Sequence, residues 1–521
     1  MLSLDHSTMR IAGGASLLAA LLVAGCGEDE PPPPPADLAC QSGAWQFDDG
    51  EISSLSRSDH GLRYRFIDGR SGRFEATDAA ELTAMEGWRK DGPIVASVKF
   101  EPCAKGRMQF HVQGGPAGIA TKIPLQIEDT RFNSGAFILQ GRLLMPAATT
   151  GPVPLAVLVH GSEHDSAVDA NALQYLLPAQ GVAVFVYDKR GTGRSQGEYT
   201  QDFDLLAGDA IAALTEARRL RPDAFARVGY VGGSQGGWIA PLAASRSRVD
   251  YAVALYGLAD GALAEDRGQV MDDLRAKGHG AEVLAKAREV TDATGGLIAS
   301  GFTEGFDQLD RVKAKYGDEP WFSDMEGEFT GAILRAPTWA PQWIVRAIAK
   351  HKDLGTSWDY EPMPVLEKLQ APQLWVLAED DTEAPNAETR RRLKMLQEKG
   401  RPIDVVVFPH TNHGILEYAG KPADRISLRH PDGYLRLIAD WIKRGRLQGS
   451  YGSGKLQPAI AEPAATQTAE PARASADSIV CADMLRQRSV NAMHDVECGA
   501  KKFHAQESFT QEEGPVFQVF T

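Results

Sequence analysis

Ser234 lies in a stretch whose residue types could support nucleophilic catalysis. Residues 232–237 read GGSQGG and fit the pattern Gly-x-Ser-x-Gly. An apolar stretch at 228–231 precedes the motif, and a helix-compatible stretch at 238–244 follows it. In this setting the serine sits on a sharp turn between strand and helix, and small neighbours let the two elements approach closely. The pattern predicts Ser234 as the nucleophile of an acyl-transfer reaction.

A serine hydroxyl is a poor nucleophile without a general base. His410 and His413 both follow a short apolar stretch at 405–408 that reads as a late strand. The base is expected in a loop after such a strand, downstream of the serine. Position alone leaves both histidines as candidates.

A carboxylate that orients the base is expected between the serine and the histidine in chain order. Residues 374–377 form an apolar stretch, and a run of acidic residues follows it: Glu379, Asp380, Asp381 and Glu383. Such an acid holds the imidazole in one tautomer and stabilises the imidazolium without itself taking the proton. Asp380 and Asp381 are the candidates.

Two backbone N–H groups are needed to stabilise the negative oxygen that forms during acyl transfer. Gln235 follows the nucleophile and is expected to supply the first. The second should come from the loop after the apolar stretch 153–159, where residues 160–162 read HGS. Because Gly161 lets the backbone turn inward, Ser162 is the predicted donor, and His160 is expected to support the loop.

The spacing of apolar stretches predicts a parallel sheet covered by helices on both faces. Short apolar runs without polar alternation are typical of strands buried on both sides. They alternate with helical patterns such as residues 203–220 and 435–442, which indicates a doubly wound α/β architecture. The predicted strands lie at 153–159, 182–187, 228–231, 251–256, 374–377 and 405–408.

Three motifs resemble signature blocks of the α/β-hydrolase superfamily. They are HGS at 160–162, YDKRGTGRS at 187–195 and GGSQGGW at 232–238. Within the superfamily, the chain is most similar to bacterial carboxylesterases of the serine aminopeptidase-like branch, and the resemblance covers about residues 125–447. It implies acyl transfer to water through a covalent acyl-enzyme, without cofactor or metal. One departure is residues 163–165, which read EHD where Gly-Pro is more common.

The resemblance also selects among the candidates for base and acid. His413 is followed by Gly414, which matches the family pattern better than His410 does. Residues 381–385 satisfy the family pattern of Asp, two residues, a small apolar residue and Pro, which favours Asp381, with Asp380 as the alternative. The implied catalytic set is Ser234, His413 and Asp381.

Composition changes along the chain predict six segments. Residues 40–127 are rich in Gly and in alternating stretches such as 62–67, which predicts a small β-rich domain before the hydrolase domain. A long insertion after residue 256 predicts a helical cap, whose tryptophans could line an acyl pocket or form the cap's own core. The segments are a signal peptide (1–25), a Pro-rich tether (26–39), the β-rich domain (40–127), the α/β-hydrolase domain (128–447, cap about 258–362), a flexible linker (448–476) and a disulfide-tied or disordered tail (477–521).

The N-terminus has the features of an exported lipoprotein. The apolar run at 11–23 is too short to span a bilayer and fits the apolar core of a signal peptide. It ends in VAGC, which resembles the bacterial lipobox and implies a lipid on Cys26. The same resemblance implies the outer membrane as the address, because Gly27 stands where an Asp would hold an enteric-type lipoprotein at the inner membrane. In an oxidising periplasm the remaining cysteines could pair, most locally as Cys40–Cys103 and Cys481–Cys498, although four cysteines allow three pairings.

The bulk composition argues against one class of partner, and three functions remain: an esterase, a peptidase and a non-catalytic binding protein. A net charge of −14 argues against a nucleic-acid partner. The leading function is hydrolysis of short to medium acyl esters, with a small-molecule substrate; oligomeric state is not predicted. A peptidase is the alternative, and an exopeptidase is expected to have acidic residues in the cap that bind an amino terminus. The cap offers Glu265, Asp266, Asp272 and Asp273, but the favoured explanation of these residues is a solvated helix face. A non-catalytic binding protein would be expected to lack a catalytic residue.

Overall fold

The structure is a computed structural model, and the chain divides into two units, Met1–Ile460 and Ala461–Thr521. It describes residues 38–58, 61–75, 81–89, 91–112, 117–336, 341–421, 425–460, 494–498, 501–510 and 514–520. The predicted signal peptide, the lipidation site Cys26 and residues 26–37 of the predicted Pro-rich tether lie outside these residues, as does Cys481. These features stay predictions.

A closed antiparallel barrel of eight strands forms the N-terminal part of the first unit, after a short helix α1 (Leu38–Gln41), and confirms the predicted β-rich domain. Its strands are β1 (Gly43–Phe47), β2 (Ile52–Ser58), β3 (Gly61–Phe66), β4 (Ser71–Glu75), β5 (Glu81–Met85), β6 (Ile94–Phe100), β7 (Arg107–Val112) and β8 (Ala117–Lys122). Alternate residues of β3, namely Leu62, Tyr64 and Phe66, are buried in the core of this barrel. Because side chains alternate across a strand, Arg63 and Arg65 lie on its outer face.

A disulfide joins Cys40 to Cys103, the local pairing that the sequence favoured. It connects the segment that enters the barrel to the turn between β6 and β7. The side chain of Cys498 lies outside the described part, so the second pairing stays a prediction.

A nine-stranded sheet follows the barrel, with the order β20-β16-β15-β14-β13-β11-β12-β10-β9. Its six central strands are parallel, and the three outer ones are antiparallel to their neighbours. The strands are β9 (Leu125–Ser134), β10 (Phe137–Pro146), β11 (Val153–Val159), β12 (Ala183–Tyr187), β13 (Phe225–Gly233), β14 (Tyr251–Leu255), β15 (Gln373–Ala378), β16 (Ile403–Phe408) and β20 (Lys455–Gln457). A separate small sheet consists of β17 (Thr411–Asn412), β18 (Leu416–Ala419) and β19 (Ile426–Ser427).

Helices cover both faces of this sheet, as the continuous apolar strands predict. Along β15, Leu374 and Val376 pack into one core, whereas Trp375 and Leu377 pack into the core on the opposite face. The first face carries α2 (Ala167–Ala170), α3 (Leu173–Ala179) and α13 (Tyr434–Arg444); the second carries α4 (Phe203–Leu220), α5 (Gly236–Ser245), α11 (Met363–Lys368) and α12 (Ala387–Glu398). The doubly wound α/β sheet is confirmed.

A helical insertion separates β14 from β15, where the sequence predicts one, and it has its own apolar core. Its helices are α6 (Ala262–Ala276), α7 (Ala281–Ala299), α8 (Phe306–Tyr316), α9 (Thr330–Arg335) and α10 (Gln342–Lys352). Trp321 is buried in this core, Trp358 packs on its edge, and Trp343 is 70% exposed. Trp339 lies outside the described residues. Among the described helices, none combines the length and apolar character needed to cross a bilayer.

The predicted flexible linker is wrong in its first part. Residues 455–457 form β20, which pairs with β16 at the edge of the sheet, and Tyr451 is buried against the core. The composition of this segment suggested flexibility, but an open sheet edge offers backbone partners that composition does not reveal. The second unit contains an antiparallel sheet of β21 (His494–Cys498), β22 (Lys501–Thr510) and β23 (Gly514–Phe520).

Candidate active site

Ser234 lies on a sharp turn between the end of β13 and the start of α5. Its φ angle is +53°, a left-handed conformation that is strained for a residue with a side chain. The Ser234 N–H donates to the carbonyl of Leu255 at 3.0 Å, which holds the turn in place. A Cβ atom at Gly232 would lie 1.9 Å from the carbonyl oxygen of Gly236, so only glycine permits strand and helix to meet this closely.

His413 lies between Ser234 and Asp381 in one hydrogen-bonded row. Its Nε2 is 3.0 Å from the Ser234 Oγ, and its Nδ1 is 3.1 Å from each carboxylate oxygen of Asp381. Asp381 Oδ1 also accepts the N–H groups of Glu383 and Ala384, which fix the carboxylate. With the Nδ1–H donating to Asp381, Nε2 is left to accept the serine proton. The structure thus brings the three predicted residues together from three separate segments.

The two rival residues lie outside this row. The Asp380 carboxylate accepts the hydroxyl proton of Tyr418 at 2.9 Å and lies 4.0 Å from the His410 Nδ1. The side chain of His410 is 90% exposed. Both residues therefore form a surface pair beside the row, in a position where neither contacts Ser234.

The two predicted oxyanion donors, Gln235 and Ser162, have backbone N–H groups that donate to no other described residue. Gln235 precedes the first turn of α5, where helix amides lack partners within the helix. The loop at 160–162 is held through its carbonyls instead: Lys189 Nζ donates to Gly161 O at 2.7 Å, and the Tyr199 hydroxyl donates to Ser162 O at 2.6 Å.

His160 and Lys189 are buried beneath this loop. Burial lowers the pKa of His160 to about 4, so its ring is neutral at physiological pH. Burial also lowers the pKa of Lys189 to about 8, against the opposing charge of Glu163. The Glu163 carboxylate lies against Gly161, where an added Cβ would be 2.5 Å from its Oε2. Residues 163–165, which depart from the family pattern, thus place the Glu163 carboxylate against the loop at 160–162.

Two acidic residues that act on His413, Glu383 and Glu265, were not assigned to the site from the sequence. Glu383 Oε2 lies 3.9 Å from the His413 Nε2. Burial raises the pKa of Glu265, which comes from α6, well above its usual range, and the nearby charge of Glu328 raises it further. Burial opposes a charge on His413, but the charges of Asp381, Glu383 and Glu265 outweigh it and raise the pKa of His413 to about 9. No sequence pattern joins these distant acids.

The predicted solvated face of the acidic residues in α6 is wrong for Asp266. Asp266 is buried, and its carboxylate accepts the N–H groups of Phe329 and Thr330. It therefore ties α6 to the start of α9 inside the insertion. Glu265, its neighbour, acts electrostatically on His413.

Tyr256 is a second residue that the sequence did not reveal as part of the site. It follows β14 with a φ angle of +42°, and its ring meets that of His413 edge-to-face with centroids 5.0 Å apart. A Cβ at Gly233 would lie 2.4 Å from the Tyr256 hydroxyl. Tyr256 thus packs beside both ends of the Ser234–His413 hydrogen bond. Within the described part of the chain, no group of three or more His, Cys, Asp or Glu side chains is arranged to hold a metal ion.

Residues 151–258 match the family model described as "Serine aminopeptidase, S33", which covers less than half of the chain. No curated protein is significantly similar to the chain. The sheet order, the strand–turn–helix at Ser234 and this family match define the α/β-hydrolase fold and confirm the predicted fold class. The match supports a serine hydrolase of the esterase and peptidase kind.

Solved structures of esterases and a peptidase are also similar to this chain. A ferulic acid-bound Est1E from Butyrivibrio proteoclasticus is 17% identical, with 61% of this chain and 97% of that chain covered and a TM-score of 0.34. The Pyrococcus furiosus esterase Pf2001 is 15% identical over 56% of this chain and 84% of its own, with a TM-score of 0.34. The Pyrococcus horikoshii acylaminoacyl peptidase is 14% identical over 78% of this chain and 57% of its own, with a TM-score of 0.39. TM-scores this low support no inference about activity.

Proposed function

We propose that the protein hydrolyses carboxylic esters of short to medium acyl length, with Ser234 as nucleophile, His413 as general base and Asp381 as the acid that orients it. The observation that carries the proposal is the position of His413, which contacts the Ser234 Oγ and the Asp381 carboxylate through its two ring nitrogens. This is the arrangement that activates a serine hydroxyl in acyl transfer.

In the acylation step, the Ser234 Oγ attacks the ester carbonyl carbon while its proton passes to the His413 Nε2. The negative charge that develops on the carbonyl oxygen is stabilised by the free N–H groups of Gln235 and Ser162. The tetrahedral intermediate then collapses: the bond to the alcohol oxygen breaks, and His413 donates its proton to the leaving alkoxide. Asp381 stabilises the imidazolium throughout.

In the deacylation step, a water molecule attacks the acyl-enzyme carbonyl and gives its proton to His413. The same two amides stabilise the second tetrahedral intermediate. His413 then returns the proton to the Ser234 Oγ as that oxygen leaves, which releases the carboxylic acid. In this cycle the reacting groups are water, the three side chains and the two backbone amides.

A peptidase that acts on amino termini is the second candidate, because the same row of residues cleaves amides as well as esters. The specific observation in its favour is the Glu383 carboxylate, whose Oε2 lies 3.9 Å from the His413 Nε2. This carboxylate would attract a substrate ammonium group. A non-catalytic binding protein is the least favoured function, since Ser234, His413 and Asp381 are all present and hydrogen-bonded in one row.

The proposal is tested with p-nitrophenyl esters of increasing acyl length beside aminoacyl p-nitroanilides. We expect ester turnover with a maximum at one chain length, and we expect Ser234→Ala to abolish it. Ser245→Ala, which removes another serine hydroxyl at the end of α5, is the matched control and should retain activity. Preference for the anilides would favour the peptidase; turnover of either class that survives Ser234→Ala would refute the assignment of the nucleophile.

We also propose that the enzyme is held at the outer membrane by lipid on Cys26, on the basis of its lipobox-like sequence. Metabolic labelling with a fatty acid in a bacterial host should label the wild-type protein and not Cys26→Ser. Equal labelling of both proteins would refute the lipid site.

A further inference from the structure

The barrel contributes two arginines to a cavity beside the candidate active site. The cavity has a volume of about 130 Å³, and its lining includes Arg63 and Arg65 of β3 together with Tyr256. It also reaches Gly233 and Gly414, the chain neighbours of Ser234 and His413. The volume is roughly ten times the minimum that holds one water molecule. The cavity can therefore admit a part of a substrate.

Arg65 carries a charge that no described carboxylate balances. Its Nε donates to the His430 Nε2 at 3.3 Å, and its guanidinium lies 5.2 Å from the ring centre of Trp88. Its Nη1 is buried and has no hydrogen-bond partner. Burial and the nearby charge of Arg63 lower the pKa of Arg65 to about 10, so the guanidinium is still charged at neutral pH.

His430 does not supply the missing negative charge. Its Nδ1 lies 2.9 Å from the carbonyl oxygen of Ile415 and donates to it, which leaves Nε2 as a neutral acceptor for Arg65. Burial and the charge of Arg65 lower the pKa of His430 to about 3. The hydroxyls of Tyr256 and Tyr434 also act on Arg65. An incompletely paired cation in such a site is costly unless an anion joins it.

Two carboxylates also line the cavity, but they belong to its oxyanion-loop side. Glu163 lies against Gly161; burial raises the pKa of its carboxyl group, but His160 and the Lys189 ammonium group counteract this, so the pKa is lowered. Asp165 is partly exposed. Among the described residues, neither Glu163 nor Asp165 is one of the main charges that act on Arg65. The cavity therefore has a cationic end at the barrel.

We propose that this cavity binds the free carboxylate of a substrate's acyl group, so that the preferred esters are half-esters of short dicarboxylic acids. The guanidinium fork matches a carboxylate in shape and charge. The acyl side is favoured because a carboxylate placed near Glu383, which lies 3.9 Å from His413, would be repelled. This inference rests on the proposed ester hydrolysis and gives the barrel a role in substrate selection.

The test compares two ethyl esters that differ only at the far end of the acyl chain. Monoethyl succinate carries a carboxylate where ethyl butyrate carries a methyl group, and acid release is followed in a pH-stat. We expect the wild type to prefer monoethyl succinate in kcat/KM. Arg65→Met should lower kcat/KM for monoethyl succinate on the order of 10- to 100-fold while ethyl butyrate changes little. Arg65→Lys should retain part of the preference.

Arg107→Met is the matched control, because Arg107 lies on the barrel, pairs with Glu101 and does not line the cavity. It should leave both substrates unchanged. Absence of a preference in the wild type, or an equal loss on both esters in Arg65→Met, would overturn the proposal. A Ser234-dependent hydrolysis of ethyl butyrate alone would do so while leaving the proposed ester hydrolysis intact.

Binding of succinate to Ser234→Ala, measured by calorimetry, separates the site from the chemistry. Binding that is lost in the Ser234→Ala, Arg65→Met double variant supports the anion site even if neither ester is hydrolysed, an outcome that would count against the esterase proposal. Absence of succinate binding together with absence of a half-ester preference would refute the anion site.

Discussion

At the scale of single residues, the charges around His413 determine how the row works near neutral pH. Asp381 orients the ring, and the additional acids Glu383 and Glu265 favour the protonated form. A protonated imidazole cannot accept the proton of Ser234. The acids that hold the His413 ring in position therefore also make it a stronger base, and the ring is mostly protonated at pH 7.

This environment predicts a rise in activity toward alkaline pH. Because the pKa of His413 is raised from 6.5 to about 9, kcat/KM for a neutral ester should increase with pH and reach half of its plateau near pH 9. Glu383→Gln removes one of the charges and should move the midpoint to lower pH. Glu379→Gln, which alters an acid paired with Lys455, is the control and should leave it unchanged. An identical shift in both variants would contradict this explanation.

The neighbouring aspartates give a direct test of the acid. Asp381→Asn should reduce kcat by about 10⁴-fold, since the amide no longer holds the productive tautomer. Asp380→Asn, whose side chain contacts Tyr418 instead of His413, should stay near wild-type activity. Rates are compared on one p-nitrophenyl ester at saturation. A larger loss in Asp380→Asn would reverse the assignment.

At the scale of elements, the loop after β12 is fixed by buried charges. The Asp188 carboxylate accepts the hydroxyl of Ser166 and the N–H groups of Val168 and Arg194, which joins the loop to the start of α2. Arg190 donates twice to Asp209 of α4. Asp188 and Arg190 thus have structural roles, and Lys189 of the same loop holds residues 160–162 through the carbonyl of Gly161.

The Arg190–Asp209 pair should be far more important for stability than an exposed pair. Asp209 is fully buried, so Asp209→Ala leaves a largely buried guanidinium without its partner and should lower the free energy of unfolding by about 3–5 kcal/mol. Asp204 lies in α4, as Asp209 does, and forms an exposed ion pair with Arg246. Asp204→Ala should lower the free energy of unfolding by no more than about 1 kcal/mol. Urea denaturation measures both. Equal losses of unfolding free energy in the two variants would contradict the greater importance of the buried pair.

At the scale of the whole molecule, the barrel and the hydrolase sheet form one unit with shared contacts. The Arg429 guanidinium donates to Asp68 O at 2.6 Å, and the His430 N–H donates to Gly69 O at 2.9 Å. These bonds join the β3–β4 turn to the segment before α13. The barrel is thereby positioned so that Arg65 reaches the cavity beside Ser234.

The disulfide should stabilise this unit by restricting the unfolded chain. Cys40 and Cys103 are 63 residues apart, which corresponds to about 4 kcal/mol in the chain-entropy account of cross-links. The double substitution Cys40→Ala, Cys103→Ala should lower the free energy of unfolding by that order, as measured in urea. The single substitution Cys40→Ala also removes the bond and should lose a similar amount. Unchanged stability in both would show that the bond does not constrain the chain.

The sequence by itself determined the features that depend on local pattern. The Gly-rich turn at Ser234 is required because no larger residue fits where β13 meets α5, and the apolar strands identify the sheet because burial on both faces leaves no polar alternation. The order of the loops on such a sheet placed the acid after residues 374–377 and the base after residues 405–408, and the family resemblance then favoured Asp381 over Asp380 and His413 over His410. Local sterics and burial leave their mark within a few residues.

Only the tertiary structure decided which distant residues surround that row. Glu265 from the insertion, Tyr256 after β14 and Arg65 from the barrel reach the site through packing between elements that are far apart in the chain. Electrostatic interactions act over distances in space, and no local pattern encodes them. The same holds for β20, whose place at the sheet edge depends on an unpaired strand that is distant in sequence.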